Sequence, residues 1–444
     1  MASQTRKIVR TARRRSALST NFSFTESMIP AAHGAAAAYR QQAWQHFQRL
    51  PMPATSDEAW RRTDLRRLDP ARFHLPTLEE AAALPPVPET LLQPLVDAEH
   101  GGQMVFTAAG VRTSLATDIA AQGVVFVDLA TAERAYPEIL EKIRGQVVRP
   151  EEGKFAALSA ALAHQGVLIY VPRNVQVAAP LHSILWGAGQ NLACFSHVLV
   201  YLEEGAALTY VHEWASPEDA ELLHAGTVEL HVGPNAHLRY VELQSWGQRT
   251  WNFTHERARV LRNGKLDWIF GLLGSRLTKT FADLDLVEDG AEGRMSGFSF
   301  TNDSQHLDYD TQQNHLAPHT TSDLLFKTAL EDRSRSVWQG MIYVAPGAQK
   351  TDGYQANRNL LLSRQARADS IPGLEILADD VRCTHGATAG KVDPDQLFYL
   401  RSRGIPEKEA ERLIVEGFFT PVMDRIPFAG VRARFEQAIQ EKMH

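Results

Sequence analysis

The hydrophobic periodicity of the chain changes twice along its length. Residues 25–50 are helix-favouring and carry aromatic side chains at helical spacing, which predicts a helix. From about residue 100 the apolar positions alternate with a period of two, as in β-strands, and past residue 393 the period returns to 3.6. These changes predict a helical region over 25–100, a β-rich core with an early α/β portion over 101–392, and a helical region over 393–444.

Part of the β-rich core repeats itself. Three segments share alternating apolar residues, a turn, and then Leu-x-aromatic-apolar; they are Val198–Val211, Val228–Val241 and Val260–Ile269. They recur 30 and then 28 residues apart, counted at Leu208, Leu238 and Leu266. Each unit holds a strand, a turn and a strand, which is too little for a propeller blade. The spacing predicts a β-solenoid whose coils stack strand on strand, with a sandwich of hairpins as the alternative.

Three short helices with apolar faces are predicted after residue 393. Asp393-Pro394 begins the first, and the other two cover residues 406–419 and 428–442. The apolar residues of the second helix include Leu413, Ile414, Phe418 and Phe419. Such faces need a cover, which is either the open end of the solenoid or a separate protein.

Composition narrows the class of protein. The 444 residues include 46 Lys and Arg against 52 Asp and Glu, a formal charge of −6, which excludes a generally basic nucleic-acid binder. With 44% hydrophobic and 22% charged residues the chain has ordinary globular composition. No apolar run approaches the roughly 18 residues of a membrane span, so a cytoplasmic protein is expected.

The first residues are locally basic. Six Arg and Lys residues lie within positions 6–15, before the first acidic residue, Glu26. We expect residues 1–24 to form a flexible basic tail. The alternative is an organelle transit peptide, which would place the protein in an organelle stroma.

Most motifs for catalysis are incomplete. Residues 386–391 resemble a phosphate loop, but the spacing is one residue short and Val392 replaces the Ser or Thr that holds magnesium. The alternating pairs Asp283/Asp285 and Asp308/Asp310 are expected to face solvent, as are most of the 17 histidines. His315 and His319 are separated by Pro318, which argues against a shared helix face.

The only two cysteines are Cys194 and Cys383, which excludes a disulfide framework and any four-cysteine metal site. Cys383 stands two residues before His385, and on a strand both side chains would point to the same face. The pair could bind one soft metal, or the imidazole could lower the pKa of the thiol. The alternative is a small buried thiol beside a hydrogen-bonded histidine. Two ligands do not complete a tetrahedral site, so a subunit interface would have to supply the others.

Several longer segments resemble a known family. They are residues 374–390 around Cys383 and His385, 397–405, 315–319, 348–352, 357–363 and 58–65. They are similar to the SufB/SufD family, the scaffold subunits of the SUF system for iron–sulfur cluster assembly. Gly386 stands where the SufB pattern has Glu, and two cysteines are fewer than SufB carries, so the resemblance is to the SufD branch. A SufB-type paralogue is the close alternative.

The resemblance implies a fold and a set of partners. The family forms a right-handed parallel β-helix between N- and C-terminal helical regions. Its SufD members are non-catalytic scaffolds that pair with a SufB-like paralogue, and each scaffold docks a SufC-like ABC ATPase. By this resemblance the helices over 406–419 and 428–442 dock the ATPase, while homodimers in isolation and flavin in the complex stay open.

The resemblance also implies the site. Iron or a nascent iron–sulfur cluster is shared between the two scaffolds, with His385 acting together with a cysteine donated by SufB, and with Cys383 less firmly required. A different class of protein stays open, because polysaccharide lyases also have the parallel β-helix fold. In a lyase, Asp308 and Asp310 could bind calcium, and Arg333 or Arg335 could act as the base. The lack of a secretion signal argues against a lyase.

Overall fold

The chain winds into a β-solenoid of about 8 turns with helices at both ends, and 41% of its residues are in strands. This is a computed structural model, and it describes residues 21–96 and 99–443. The predicted fold class is thereby confirmed, and the alternative of a hairpin sandwich is wrong. Residues 1–20 of the expected basic tail lie outside the described residues, whereas Phe24 at its end is buried against Phe195.

The strands are short and mostly of similar length. They are β1 Gly102–Thr107, β2 Gly110–Leu115, β3 Val125–Asp128, β4 Gln165–Val171, β5 Leu181–Trp186, β6 Gln190–Leu202, β7 Ala207–Ala215, β8 Glu221–Val232, β9 His237–Ser245, β10 Trp251–Val260, β11 Lys265–Leu272, β12 Leu277–Leu286, β13 Glu292–Thr301, β14 His306–His315, β15 Thr321–Leu330, β16 Arg335–Val344, β17 Asp352–Leu361, β18 Arg367–Ile376 and β19 Arg382–Lys391.

The α-helices lie before, among and after the first strands and again at the C-terminus. They are α1 Gly34–Arg49, α2 Leu78–Ala83, α3 Glu89–Leu92, α4 Thr117–Ala121, α5 Leu129–Ala135, α6 Pro137–Ile143, α7 Lys154–Leu162, α8 Pro394–Ser402, α9 Glu407–Met423 and α10 Ala429–Lys442. The three C-terminal helices match their predictions. The helix predicted over 25–50 begins only at Gly34, after Pro30 and a 3₁₀ turn over Glu26–Met28.

Within the described residues the strands form two sheets, and from β4 onward each coil contributes one strand to each sheet. One has ten strands and ends at β19, and the other has nine and ends at β18. From β4 onward the neighbouring strands of each sheet pair in parallel. Each strand between the two ends of the solenoid therefore hydrogen-bonds to the strands one coil before and one coil after it.

The repeat predicted from the sequence corresponds to the pairing of strands between successive coils. Leu208 pairs with Leu238, and Leu238 pairs with Leu266, as the spacing of 30 and 28 residues predicts. In the sequence pattern the third segment begins at Val260, in the position of Val228 in the second segment. In the structure Val260 pairs with Val232 and not with Val228. A shift of four residues preserves the alternation of a strand, so the apolar pattern alone does not detect it.

The predicted turns depend on residues that tolerate a left-handed backbone. Gly205, Asn235 and Asn263 have φ of 68°, 55° and 53°, a region that L-residues other than Asn and Asp rarely adopt. The Nδ2 of Asn263 donates to Oδ1 of Asn235 in the previous coil, at 3.2 Å. The corners are therefore stacked like the strands.

Alternate side chains of each strand point into the solenoid or away from it. Leu208, Tyr210 and Trp214 belong to the interior core, whereas Val211 between them packs with the C-terminal helices. The outer face of the nine-stranded sheet is covered in part by α1 and by the helices of the early α/β portion, where Phe155 of α7 stacks on Phe253 with ring centroids 3.7 Å apart. The ten-stranded sheet is covered by α9 and α10, which answers the question of what shields their apolar faces.

Polar side chains fasten these covers to the solenoid. The carboxylate of Glu229 accepts hydrogen bonds from the backbone N–H groups of Gly145, Val147 and Val148 and contacts the imidazole of His197 at 2.9 Å. At the other end Lys442, the last residue of α10, donates to the Leu273 and Phe300 carbonyls and to Gln305.

Several polar residues expected at the surface are buried. The histidines among them are His182, His197, His212, His224, His255 and His315. Asp308 is also buried, because Lys279 on the neighbouring strand pairs with it at 3.0 Å and Thr63 donates to it. Buried charge is tolerated where it is paired and hydrogen-bonded, so the solvent-facing prediction for Asp308 is wrong.

One carboxyl pair lies inside the solenoid itself. Glu242 on β9 and Glu256 on β10 face each other across the interior and share a hydrogen bond. Burial raises the pKa of both groups, that of Glu242 well above its ordinary range. Two adjacent buried carboxylates repel each other, so the pair keeps a proton in the folded chain.

Replacing Glu242 by Gln is expected to reduce the loss of stability at rising pH. The folded chain holds protons that unfolded glutamates release above about pH 4.3, so the free energy of unfolding falls as pH rises from there through the folded pKa values. The variant removes one such group and lowers the slope by roughly 1.4 kcal/mol per pH unit. Chemical denaturation at several pH values between about 6 and 8 measures it.

The matched control is Glu292→Gln, which changes an exposed carboxyl group of the same type. This variant should keep the slope of the wild type. Equal slopes for wild type and Glu242→Gln would show that the buried pair does not hold a proton.

Candidate functional site

The candidate site lies on the last coil of the solenoid, where the stacking of strands stops. Among the described residues, β18 and β19 each pair with a strand on one side only. Most side chains of β19 are exposed, in contrast to the buried strands of the preceding coils. Both strands therefore carry free backbone donors and acceptors along one edge.

Cys383 and His385 lie on β19 and point to the same side, as their spacing predicts. Cys383 is half-buried and packs against the small apolar cluster of Ile342, Val344 and Ala348. His385 is exposed, and its imidazole has no hydrogen-bond partner within the part of the chain that the structure describes. The thiol thus faces the interior of the coil, and the imidazole is open to a partner.

The pKa of the Cys383 thiol does not follow the interpretation in which His385 lowers it. Burial raises the pKa of the thiol, and Asp352 nearby raises it further, while the backbone N–H of Gly353 opposes them. The imidazole of His385 does not lower it. Cys383 is therefore a neutral thiol that loses its proton only when a cation or a partner compensates the charge.

The residues directly beneath Cys383 and His385 were not predicted from the sequence. In the register of β17 and β19, Cys383 lies directly over Gly353, and His385 lies directly over Gln355. An added Cβ at Gly353 would lie 3.2 Å from the Cys383 sulfur and 3.3 Å from Nε2 of His315. Only a residue without a side chain leaves the thiol this room. The coil period of about 30 residues, applied backwards from 383 and 385, would have identified both positions.

The other histidine pair of the sequence does not form a site. His315 is buried and hydrogen-bonded to Thr320 and Ser322, each at 2.8 Å. His319 is exposed and contacts Asp289 at 2.7 Å. Burial lowers the pKa of His315 to about 4, so it is a neutral structural residue.

Three of the four residues considered for a lyase pair with other side chains, whereas Arg333 is exposed. Asp308 and Asp310 both lie near Lys279, at 3.0 and 3.8 Å, and Arg335 pairs with Asp369 at 2.7 Å. Within residues 21–96 and 99–443, no three His, Cys, Asp or Glu side chains come together in a way that could hold a metal ion. These observations do not favour a calcium-dependent lyase.

The four residues predicted for ATPase docking divide into two groups. Phe419 is buried against Phe435, and Phe418 lies beside Lys327, so both face the solenoid. Leu413 is exposed and Ile414 is half-buried on the outer side of α9. Phe419 is therefore unavailable to a partner, because α10 covers it.

An apolar groove of about 460 Å³ lies between α8 and α9. Its lining residues are Asp395, Gln396, Tyr399, Leu400 and Ile414. Three large apolar side chains stay exposed on these helices, Phe398 at 74%, Tyr399 at 57% and Leu413 at 38%. No helix among the described residues is both long and apolar enough to cross a membrane.

Two family models match the chain. The SUF system FeS cluster assembly, SufBD core domain, matches residues 185–418, and the SufBD protein N-terminal region matches residues 18–182. Together they cover the solenoid and the helices before it.

Curated relatives agree over nearly the whole length. The iron–sulfur cluster assembly protein SufD of Bacillus subtilis is 31% identical over 415 residues, which cover 91% of this chain and 93% of the relative. An iron–sulfur cluster assembly SufBD family protein of Staphylococcus saprophyticus is 29% identical over 402 residues, covering 88% and 85%. The chain belongs to the SufBD family of iron–sulfur cluster assembly proteins.

Proposed function

We propose that the chain is a non-catalytic scaffold subunit of a SUF complex, in which the last coil of the solenoid contributes His385 to the assembly of a nascent cluster. The observation that carries this proposal is the position of His385 on the terminal strand, where it is exposed and has no partner among the described residues. Iron and sulfide are substrates of this assembly, and the resulting cluster leaves the scaffold.

The free edges of β18 and β19 fit a second solenoid. Unpaired strand edges bind other strands through backbone hydrogen bonds. Exposed Leu374, Ile376 and Leu377 lie at the end of β18 and just after it, where they add apolar area to the edge. A SufB-like paralogue has the same architecture by family and would present a matching edge, while two copies of this chain could pair in its absence.

The chemistry of the site requires such a partner. His385 supplies one neutral nitrogen ligand to iron, and Cys383 supplies a thiolate once the positive charge of iron displaces its proton. Iron in clusters is usually held by thiolates in a tetrahedral set, and the described residues offer one thiol at this end. The remaining thiolates come from the partner across the interface.

The groove between α8 and α9 is proposed to dock a SufC-like ATPase. Tyr399 lines the groove, and Phe398 and Leu413 are exposed beside it on the same two helices, so apolar surface stays bare at this place. The two helices pack on each other, and α9 packs on β13 and β15, so a force on the groove reaches the solenoid. Nucleotide-driven closure of the ATPase would thereby shift the scaffold interface.

His385→Ala should lower the cluster content of the complex without preventing its assembly. The side chain is exposed and unbonded, so its removal costs little folding stability, while the loss of a ligand should reduce bound iron by about tenfold or more. The measurement is iron and acid-labile sulfide in the complex purified after co-expression with SufB-like and SufC-like subunits.

Thr384→Ala is the matched control, because Thr384 is exposed on the same strand but points to the opposite side. It should leave the cluster content unchanged. Undiminished iron and sulfide in His385→Ala would refute the role of His385, and loss of the complex would make the residue structural.

Leu413→Glu should weaken binding of the ATPase. A carboxylate in an apolar interface loses its hydration without gaining a partner, which should raise the dissociation constant by more than about tenfold. Size-exclusion chromatography and calorimetry with the SufC-like subunit measure the effect.

Leu78→Glu is the control for this variant, since Leu78 is a 92% exposed leucine on α2, outside the C-terminal helices. It should bind the ATPase like the wild type. Equal affinity of Leu413→Glu and wild type would mean that the groove is not the docking surface.

A further inference from the structure

We propose that Gln355 is a positioning residue for His385, whose ring N–H donates a hydrogen bond to the Gln355 Oε1 while the other ring nitrogen stays unprotonated and faces iron. The inference rests on the proposed function of His385 and adds a second residue to that site. It follows from register, burial and the hydrogen bonds of Gln355.

Register places the two side chains together. β17 and β19 are parallel, and Gln355 is the Cα partner of His385. Paired residues of neighbouring parallel strands point to the same side of the sheet, with backbones about 4.8 Å apart. An amide and an imidazole at such positions are within hydrogen-bond reach after a rotation of the exposed ring about its side-chain bonds.

The orientation of the Gln355 amide is fixed. Its Nε2 donates to the carbonyl of Gly340 at 3.3 Å and to the carbonyl of Gly373 at 3.0 Å. Both amide hydrogens are thereby used, and a flipped amide would direct its oxygen at two carbonyl oxygens. Oε1 is therefore held as a hydrogen-bond acceptor, and the residue is fully buried.

The fold keeps space for this amide. An added Cβ at Gly340 would lie 2.1 Å from the Trp338 ring and 2.6 Å from Oε1 of Gln355, so the glycine leaves room for both side chains. The nitrogen of the amide reaches Gly373 on β18, in the same terminal coil as β19. The amide group is thus held at the level of the last coil, where His385 lies.

Oε1 is an acceptor without a donor. Among the described residues it has no hydrogen-bond partner, and a buried acceptor in that state costs roughly 1–3 kcal/mol. Neighbouring donors are engaged, because Trp338 donates to Thr311 and Ser370 donates to Asn357. The imidazole of His385 is a free donor in the adjacent register position.

The consequence concerns the tautomer of His385. Neutral imidazole carries one proton on either ring nitrogen, and a fixed acceptor selects the tautomer that donates to it. Metal-binding histidines almost always donate their second ring N–H in this way, and loss of that bond typically costs 10–100-fold in metal affinity. Gln355 would therefore prepare His385 for iron before the partner arrives.

Gln355→Met tests the proposal in the full chain. Methionine has a similar length and no acceptor of comparable strength. With ¹⁵N-labelled histidine at alkaline pH, where imidazole carries a single ring proton, the wild type should show one dominant tautomer for His385. The variant should show a mixture, and the absence of the signal in His385→Asn assigns it.

Gln313→Met is the matched control. Gln313 is also buried, donates its Nε2 to Ser322 and to the Tyr354 carbonyl, and has an unpartnered Oε1, but it has no register with β19. It should leave the His385 tautomer as in the wild type. In the complex, Gln355→Met should lower the iron content about tenfold, while Gln313→Met should not.

The outcomes separate the two proposals. An unchanged His385 tautomer in Gln355→Met would overturn the role of Gln355 and leave water as the partner of Oε1. Undiminished cluster content in His385→Ala would overturn the proposed function, whatever the tautomer. If Gln355→Met does not fold, Gln355→Asn replaces it, since the shorter amide withdraws Oε1 from the imidazole and should likewise produce a mixture.

Discussion

In-register stacking of parallel strands is the constraint on which the rest of this molecule depends. Because each strand bonds to the strands one coil before and after it, every residue lies over another about 30 positions earlier. The backbone hydrogen bonds of a coil are complete only when both neighbours are present. The last coil lacks its second neighbour, and this is where the candidate ligands Cys383 and His385 lie. The fold thus creates the open edge, and its residues determine what binds there.

The helical covers decide which other surfaces stay open. The covered parts of both outer faces carry apolar clusters that would favour aggregation if they were exposed. The N-terminal region covers one face and α9 with α10 covers the other, fastened by Glu229 and Lys442. Among the described residues, the end of the solenoid and the groove between α8 and α9 stay uncovered. Two separated surfaces of this kind are what the proposed pairing with a second scaffold and with an ATPase would require.

The sequence predicted the repeat and the helical ends because alternation and period are local properties. It failed where the deciding contact is distant along the chain. Asp308 was expected in solvent because its partner Lys279 is 29 residues away, and the alignment at Val260 slipped by four residues because alternation is unchanged by that shift. Cys383 and His385 stood out from their spacing on one strand, but only the family resemblance favoured a functional role over a structural one, since two residues of these types are common in proteins. Gln355 was not predicted, because its position beneath His385 depends on the pairing of β17 with β19.

The interior of the solenoid changes character as it approaches the open end. In the middle coils the inward residues of the ten-stranded sheet include large apolar side chains, such as Trp268 and Phe270, beside a few polar ones such as Glu242. On β17 and β19 they are small or polar, including Gly353, Gln355, Asn357 and Ala387. An apolar terminal coil would expose hydrophobic side chains to water and would favour their permanent burial against a partner. A polar one tolerates hydration, so the end can stay open, as the proposed assembly of a cluster with a partner would require. The same substitution of polar for apolar interior residues provides the amide groups that can orient His385.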